Sequence, residues 1–227
     1  MVAGMVRLSV LAMLCASTTA FADDPPAQHY AAMTRDECEA ELTARKIEFE
    51  PADSEGAPGV LAPVRLKGAL RGVVYRTNLK EEERETTVWE IADCRLVLAL
   101  DDFAAILAKH DIVEVRHYSM YRKPRKRDGK TRSQHAGGLA LDAARFIRKD
   151  GTQLDVLDDF KGRRGSKSCG PKARKVKDPA AIELREIVCA AVEQKLFTVV
   201  LTPNFNRAHR NHFHLEVTPS VTWFWVR

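Results

Sequence analysis

A chain of 227 residues with 45% hydrophobic and 30% charged residues and a formal net charge of +5 has apolar material for one well-buried domain. Its one strongly apolar run, Leu8 to Ala16, is too short to cross a bilayer, so a membrane-spanning protein is excluded once that run is removed. Nothing repeats along the chain, and nothing in it marks a second domain.

Residues 1–22 have the pattern of a signal peptide: Arg7 at the start, the apolar run after it, and Ala20-Phe21-Ala22 as a small-x-small cleavage site. Export follows, to the periplasm or the extracellular space. Four cysteines remain, Cys38, Cys94, Cys169 and Cys189; an even count in an exported chain favours disulfides over thiols. Of the three possible connectivities, Cys38–Cys94 with Cys169–Cys189 is preferred because it joins neighbours in sequence. No pair has the CxxC spacing of a cysteine zinc site.

Residues 23–36 read as a loose N-terminal segment, and 37–227 as the domain. The stretch "ECEAELTARKIEFE" forms a short helix anchored by Leu42 and Ile47. Residues 60–77 alternate as strands broken by glycine turns, and 81–87 form an acidic loop or helix start. Helical spacing of Leu96, Leu100, Phe103, Ile106 and Leu107 places a helix over 94–111. "IVEVRHYS" and "LALDAARFI" read as strands, 181–196 as an amphipathic helix, and "FTVVLT" and "HFHLEV" as the last strands. Two basic segments interrupt this order. Residues 121–132 carry seven basic residues against one acid, and 161–177 carry eight against none. They are solvated loops or a surface for an anionic polymer. The fold class is α+β: a single domain with a small, mostly antiparallel sheet flanked by helices.

The chemistry lies in two stretches, "SQHAGGLALD" (133–142) and "HRNHFHLEV" (209–217). Successive strand side chains alternate faces, so His212, His214 and Glu216 point one way while Phe213, Leu215 and Val217 point the other. Asp142 shares a strand face with Ala140, Ala144 and Phe146, where an unpaired carboxylate is costly and a cation would compensate it. Gly137 and Gly138 let the chain turn so that His135 comes back toward the strand. Two histidines and an aspartate leave a fourth position for water, the pattern of a catalytic zinc site.

Ser133, His135, Gly138, Ala140 and Asp142 occupy the fixed positions of S-x-H-x-x-G-x-A-x-D. With the downstream H-x-H, this resembles the zinc metallopeptidases that include lysostaphin-type enzymes, D-alanyl-D-alanine peptidases and hedgehog domains. Together with "HYSMYR", "RFIRKDG" and "FTVVLTPNFNRAH", it is more closely similar to the extensin-like C-terminal family, over roughly residues 90–217. The resemblance implies zinc ligands His135, Asp142 and His214, with His212 just off the metal. The spacing of His209, His212 and His214 resembles the murein endopeptidase branch. Where carboxypeptidase and dipeptidase branches carry an acid, three residues before the last ligand, this chain has Asn211.

The expected function is an exported zinc-dependent peptidase acting on the peptide crosslinks or stem peptides of peptidoglycan. His212 or His209 serves as the base, Arg122 holds the substrate carboxylate or the oxyanion, Ser133 binds substrate or shapes its loop, and Glu216 supports a ligand imidazole. The partner is peptidoglycan or another anionic envelope polymer, and nucleic acid is not expected. Two rival readings are a metal-holding wall-binding protein without catalysis, which Asn211 permits, and a secreted metal-dependent nuclease, which the basic loops suggest.

Overall fold

A computed structural model describes residues 24–124 and 133–227. The expected signal peptide and residues 125–132 of the first basic segment lie outside these residues. Six α-helices and ten strands are present among those described: α1 (Pro26–Ala32), α2 (Arg35–Ala44), β1 (Phe49–Pro51), β2 (Pro63–Leu66), β3 (Val74–Thr77), α3 (Glu81–Arg84), β4 (Ala92–Asp93), α4 (Cys94–Leu107), β5 (Ile112–His117), β6 (Ala140–Arg148), β7 (Gln153–Asp155), α5 (Val156–Asp159), α6 (Pro179–Glu193), β8 (Val199–Leu201), β9 (Phe213–Glu216) and β10 (Trp225–Val226). No helix among them is long and apolar enough to cross a membrane.

The sheet is larger than the small one expected. Seven strands associate in the order β10-β8-β9-β6-β5-β3, with β7 paired to β6 beside that path. Antiparallel pairing dominates; only β10–β8 and β3–β5 are parallel. A separate antiparallel ribbon, β1-β2-β4, leads into α4. Together they form one α+β domain.

Helix α4 is the centre of the core. Twelve of its fourteen residues, including Leu96, Leu98, Leu100, Phe103 and Leu107, are buried, because it lies under the sheet with α1, α2 and α6 around it. Phe103 meets Phe146 and Phe197 edge-on at 6.5 and 5.7 Å, and Phe146 in turn meets Phe213 at 5.9 Å. Burying each such ring or leucine contributes about 1.5–3 kcal/mol. The helix begins on a buried charge. Asp93 caps it by accepting from the backbone N–H of Arg95 at 3.1 Å, and also receives the Arg95 guanidinium at 2.7 and 3.0 Å.

Two readings of the sequence are corrected here. The segment read as loose contains α1, whose first turn Pro26 presets and whose Ala27, Tyr30 and Ala31 are buried. Tyr30 donates to Asp102 of α4 and receives the Arg45 guanidinium at 2.9 Å, so the chain is ordered well before residue 37. Secondly, Phe146 does not share a face with Asp142. Strand β6 pairs Arg145 with Arg116 and then Ala143 with His117, a β-bulge at Ala144 that reverses the alternation. Phe146 therefore turns into the core, while Asp142 stays on the opposite face.

The cysteines pair as Cys38–Cys94 and Cys169–Cys189, with Cα–Cα distances of 6.0 and 5.4 Å. The first bridge ties α2 to the first residue of α4. The second ties the basic segment 161–177, which holds no helix or strand, to α6.

Candidate metal centre

Strands β6 and β9 are antiparallel, with Asp142 directly opposite His214 and Ala140 opposite Glu216. Because β9 alternates, Phe213 and Leu215 fill the core, and His212, His214 and Glu216 are left on the Asp142 face. His135 reaches that face from a 3-10 turn, Gln134–Gly137, closed by Gly138 at φ +66°. A side chain at Gly138 would also meet the backbone nitrogen of Asp93 at 2.7 Å, so both the turn and the approach to α4 require glycine.

The ligand atoms of His135, Asp142 and His214 lie within 4.8 Å of one another, and all three residues are buried. His135 Nε2 is 3.0 Å and His214 Nδ1 2.9 Å from Asp142 Oδ1. The other nitrogen of each ring faces an acceptor: the Met120 carbonyl at 2.9 Å for His135 Nδ1, and Glu216 Oε2 at 2.9 Å for His214 Nε2. Each neutral ring therefore donates outward and presents a bare nitrogen inward. Bare nitrogens and a carboxylate oxygen at such separations repel unless a proton or a cation lies among them. The separations are close to the ~3.3 Å edge of a tetrahedron with ~2.0 Å bonds, so this donor set fits a metal ion.

In the protein alone, protons resolve the conflict. Burial would lower the pKa of His214, but its hydrogen bonds to Asp142 and Glu216 outweigh burial and raise it to about 9. Burial likewise opposes ionisation of Asp142, and the hydrogen bonds from His135 and His214 overcome it, holding the carboxyl well below its usual range.

His212 and His209 are of another kind. Burial lowers both pKa values to about 4, against the pull of Asp142, so both rings are neutral at physiological pH. His212 Nε2 is 3.3 Å from Asp142 Oδ1, while its Nδ1 donates to Asn211 Oδ1 at 3.0 Å. Asn211 donates in turn to the Tyr118 hydroxyl at 2.8 Å, and the Tyr118 ring stands edge-on to His212. His209 donates through Nδ1 to Asn206 Oδ1 at 2.8 Å, an oxygen that also accepts from the backbone of Ala208 and His209. The rings of His209 and His212 are 5.2 Å apart.

Arg122 places Nη2 3.3 Å from Asp142 Oδ2, and its side chain is 44% exposed, at the open side of the centre. Ser133 is exposed at the start of the 3-10 turn; it accepts from Ala136 through its backbone carbonyl and makes no side-chain cap. Three partners were not anticipated. Tyr118 and the Met120 carbonyl lie beyond the end of β5 with no local signature. Asn206 carried a usable sign, a helix-capping residue three positions before His209.

The arrangement is thus an α+β domain with a buried His-Asp-His cluster able to hold a metal ion and two neutral histidines beside it. The chain matches the family "Extensin-like protein C-terminus" over residues 36–224 and belongs to that family. No curated protein and no solved structure matches it.

Proposed function

We propose that this protein is an exported zinc peptidase that hydrolyses peptide bonds in peptidoglycan, related to the lysostaphin-type and D-alanyl-D-alanine peptidases. The observation that carries the reading is the convergence of His135, Asp142 and His214: the Met120 carbonyl and Glu216 accept at the outward nitrogens, so the inward nitrogens can turn to a cation that takes the place of the proton shared with Asp142. Two nitrogens and one carboxylate oxygen suit Zn²⁺, which in catalytic sites takes three protein ligands and a water. A cation in such a site supplies activation of water and polarisation of a carbonyl.

The chain's own groups do the rest. His212 is neutral, is oriented through Asn211, and has its Nε2 beside the ligand carboxylate, so it accepts the proton released on attack and returns it to the leaving amine. His209 packs against it and keeps a neutral environment around the ring. Arg122 sits at the exposed rim, where its guanidinium can take a substrate carboxylate or the carbonyl oxygen. Ser133 shapes the turn that presents His135. The two disulfides favour an oxidising compartment, in keeping with a periplasmic or extracellular location.

Asn211 favours a second reading, a wall-binding protein that holds the metal without catalysis, because an amide cannot take up a proton as an acid would. One experiment separates the two. Zinc-loaded protein and Asp142→Ala are incubated with purified peptidoglycan, and the soluble products are identified by mass spectrometry. The peptidase reading expects zinc-dependent release of defined peptide fragments that Asp142→Ala abolishes. Stoichiometric zinc without fragments would leave the binder, and wild-type protein that takes up no zinc would sink both.

A further inference from the structure

A cleft of about 650 Å³ lies between the second basic segment, the end of α6 and the residues at the ends of β8 and β10. Ser166, Lys167, Glu193, Phe205 and Arg227 line it. Its base is rigid. Ser168 and Thr202 share a hydrogen bond of 2.6 Å, Asn204 donates to Ser168 at 2.9 Å and accepts from the Arg163 backbone at 2.6 Å, and the Cys169–Cys189 bridge pins the loop to α6. A basic loop held this way carries a preformed surface rather than a solvated tether.

Rings connect the cleft to the metal centre. Trp225 meets Phe205 at 5.3 Å, Phe205 meets His209 at 5.4 Å, and His209 meets His212 at 5.2 Å. Phe205 thus belongs both to the cleft wall and to the histidine row. Exposed cations lie in the cleft wall, Lys167 and Arg227, and beside His209 in sequence, Arg207 and Arg210. Arg210 and Arg227 donate to the backbone carbonyls of Arg207 and Val226 and meet no acid among the described residues, and the Arg227 guanidinium lies 5.7 Å from the centre of the Trp225 ring, which puts a cation and an aromatic face together.

We propose that this cleft and ring strip form a distal subsite for a carboxylate-bearing saccharide strand, which holds the polymer while its peptide arm enters the metal centre. The ligand class follows from the lining. Cations suit carboxylates, the half-buried rings offer apolar contact to sugar C–H faces, and Glu193 with Ser166 accepts from hydroxyl donors. A phosphodiester chain has few such hydroxyl donors to offer Glu193 and Ser166. The rings are also tilted by 45–79° to their neighbours, so they do not make the parallel faces on which successive bases stack.

The subsite rests on the peptidase reading for its purpose but not for its test. Binding of full-length, zinc-loaded protein to insoluble peptidoglycan sacculi is measured by co-sedimentation for wild type, for Lys167→Glu/Arg227→Glu and for Phe205→Ala. The same proteins are assayed on a short cross-linked peptide lacking sugar. The charge-reversed variant should bind sacculi about tenfold more weakly, with a loss that shrinks as salt rises, and should treat the sugar-free peptide as wild type does. Because Lys167 and Arg227 are exposed, that variant keeps its fold even if Phe205→Ala does not. Unchanged sacculus binding by the charge-reversed variant overturns the subsite, as does equal loss on polymer and free peptide. Tighter binding of single-stranded poly(dT) than of sacculi, with the same sensitivity to the variant, replaces it with a nucleic-acid surface. Failure of every protein to cleave the free peptide tells against the peptidase reading and leaves the sedimentation result to decide the subsite.

Discussion

His214 and His212 lie on one strand face, two residues apart, and their surroundings set them to different work. His214 is wedged between two carboxylates, Asp142 and Glu216, each 2.9 Å away, whereas His212 has one carboxylate contact and an amide. His214→Ala should therefore lose zinc and peptide cleavage together. His212→Ala should keep most of the zinc and lose ~10²-fold or more in rate, the usual scale for a proton-transfer group. Zinc content and cleavage measured on the same preparations check this; full cleavage by His212→Ala would remove it as the base. The same residues predict a pH dependence for the zinc-free protein. His209 and His212 titrate near 4 when folded and near 6.5 when unfolded. Their contribution is present above about 6.5, because the folded state holds them neutral, and is lost as pH falls through about 4. His214 is opposite: its folded value of about 9 means its contribution is complete below about 6.5 and disappears as pH rises through 9. Urea unfolding of zinc-free protein should show declining stability on both sides of neutrality, by about 1–3 kcal/mol each after allowance for solvent screening. Adding zinc should remove the alkaline decline, since the ion replaces the His214 proton.

At the scale of elements, the β6–β9 pair and the start of α4 carry the site between them. Gly138 accepts the backbone N–H of Asp93 at 2.9 Å, which sets the His135 turn directly on the helix start. Asp93 in turn accepts from Leu61 and Ala62 while paired with Arg95, so one buried carboxylate joins the small ribbon, the helix and, through its own backbone, the turn. Asp93→Ala removes the cap and leaves Arg95 charged and buried; a loss of about 3–5 kcal/mol is expected, read from denaturant midpoints. Zinc affinity should fall with it, because the His135 turn loses its footing. A variant with wild-type stability would show that the buried pair is replaceable by water.

The whole molecule is held by features far apart in sequence, and the disulfides measure how much. Bridges with sequence separations of 56 and 20 residues remove chain entropy worth about 4 and about 3 kcal/mol from the unfolded state. Cys38→Ala/Cys94→Ala should accordingly lower the unfolding free energy more than Cys169→Ala/Cys189→Ala. The second pair should instead affect sacculus binding, since it pins the cleft loop. Equal stability effects with unchanged binding would count against this division.

By itself the sequence determined the local periods. Alternation in "HFHLEV" set His212, His214 and Glu216 on one face because a strand repeats every two residues regardless of its neighbours. The helical spacing of α4 and the glycine turn before Asp142 were legible for the same reason: each depends on a short segment. The cysteine pairing, over separations of 56 and 20 residues, followed instead from an even count and a preference for the neighbour in sequence. Only the tertiary structure decided the rest. The bulge at Ala144 exists because β6 must register with β5 and β9 at once, so the strand face of Phe146 could not be read from "LALDAARF" alone. Strands β3 and β10 join the sheet by parallel pairing across other elements, with α3, β4 and α4 between β3 and β5 and with β9 between β8 and β10, which no local pattern encodes. Helix α1 is ordered by Tyr30 reaching Asp102, a contact 72 residues away. The acceptors behind the two rings belong to the same class, since the Met120 carbonyl is a backbone atom and its position depends on how 118–122 lies along β6. Residue types named the candidate metal ligands; their protonation is a property of the fold.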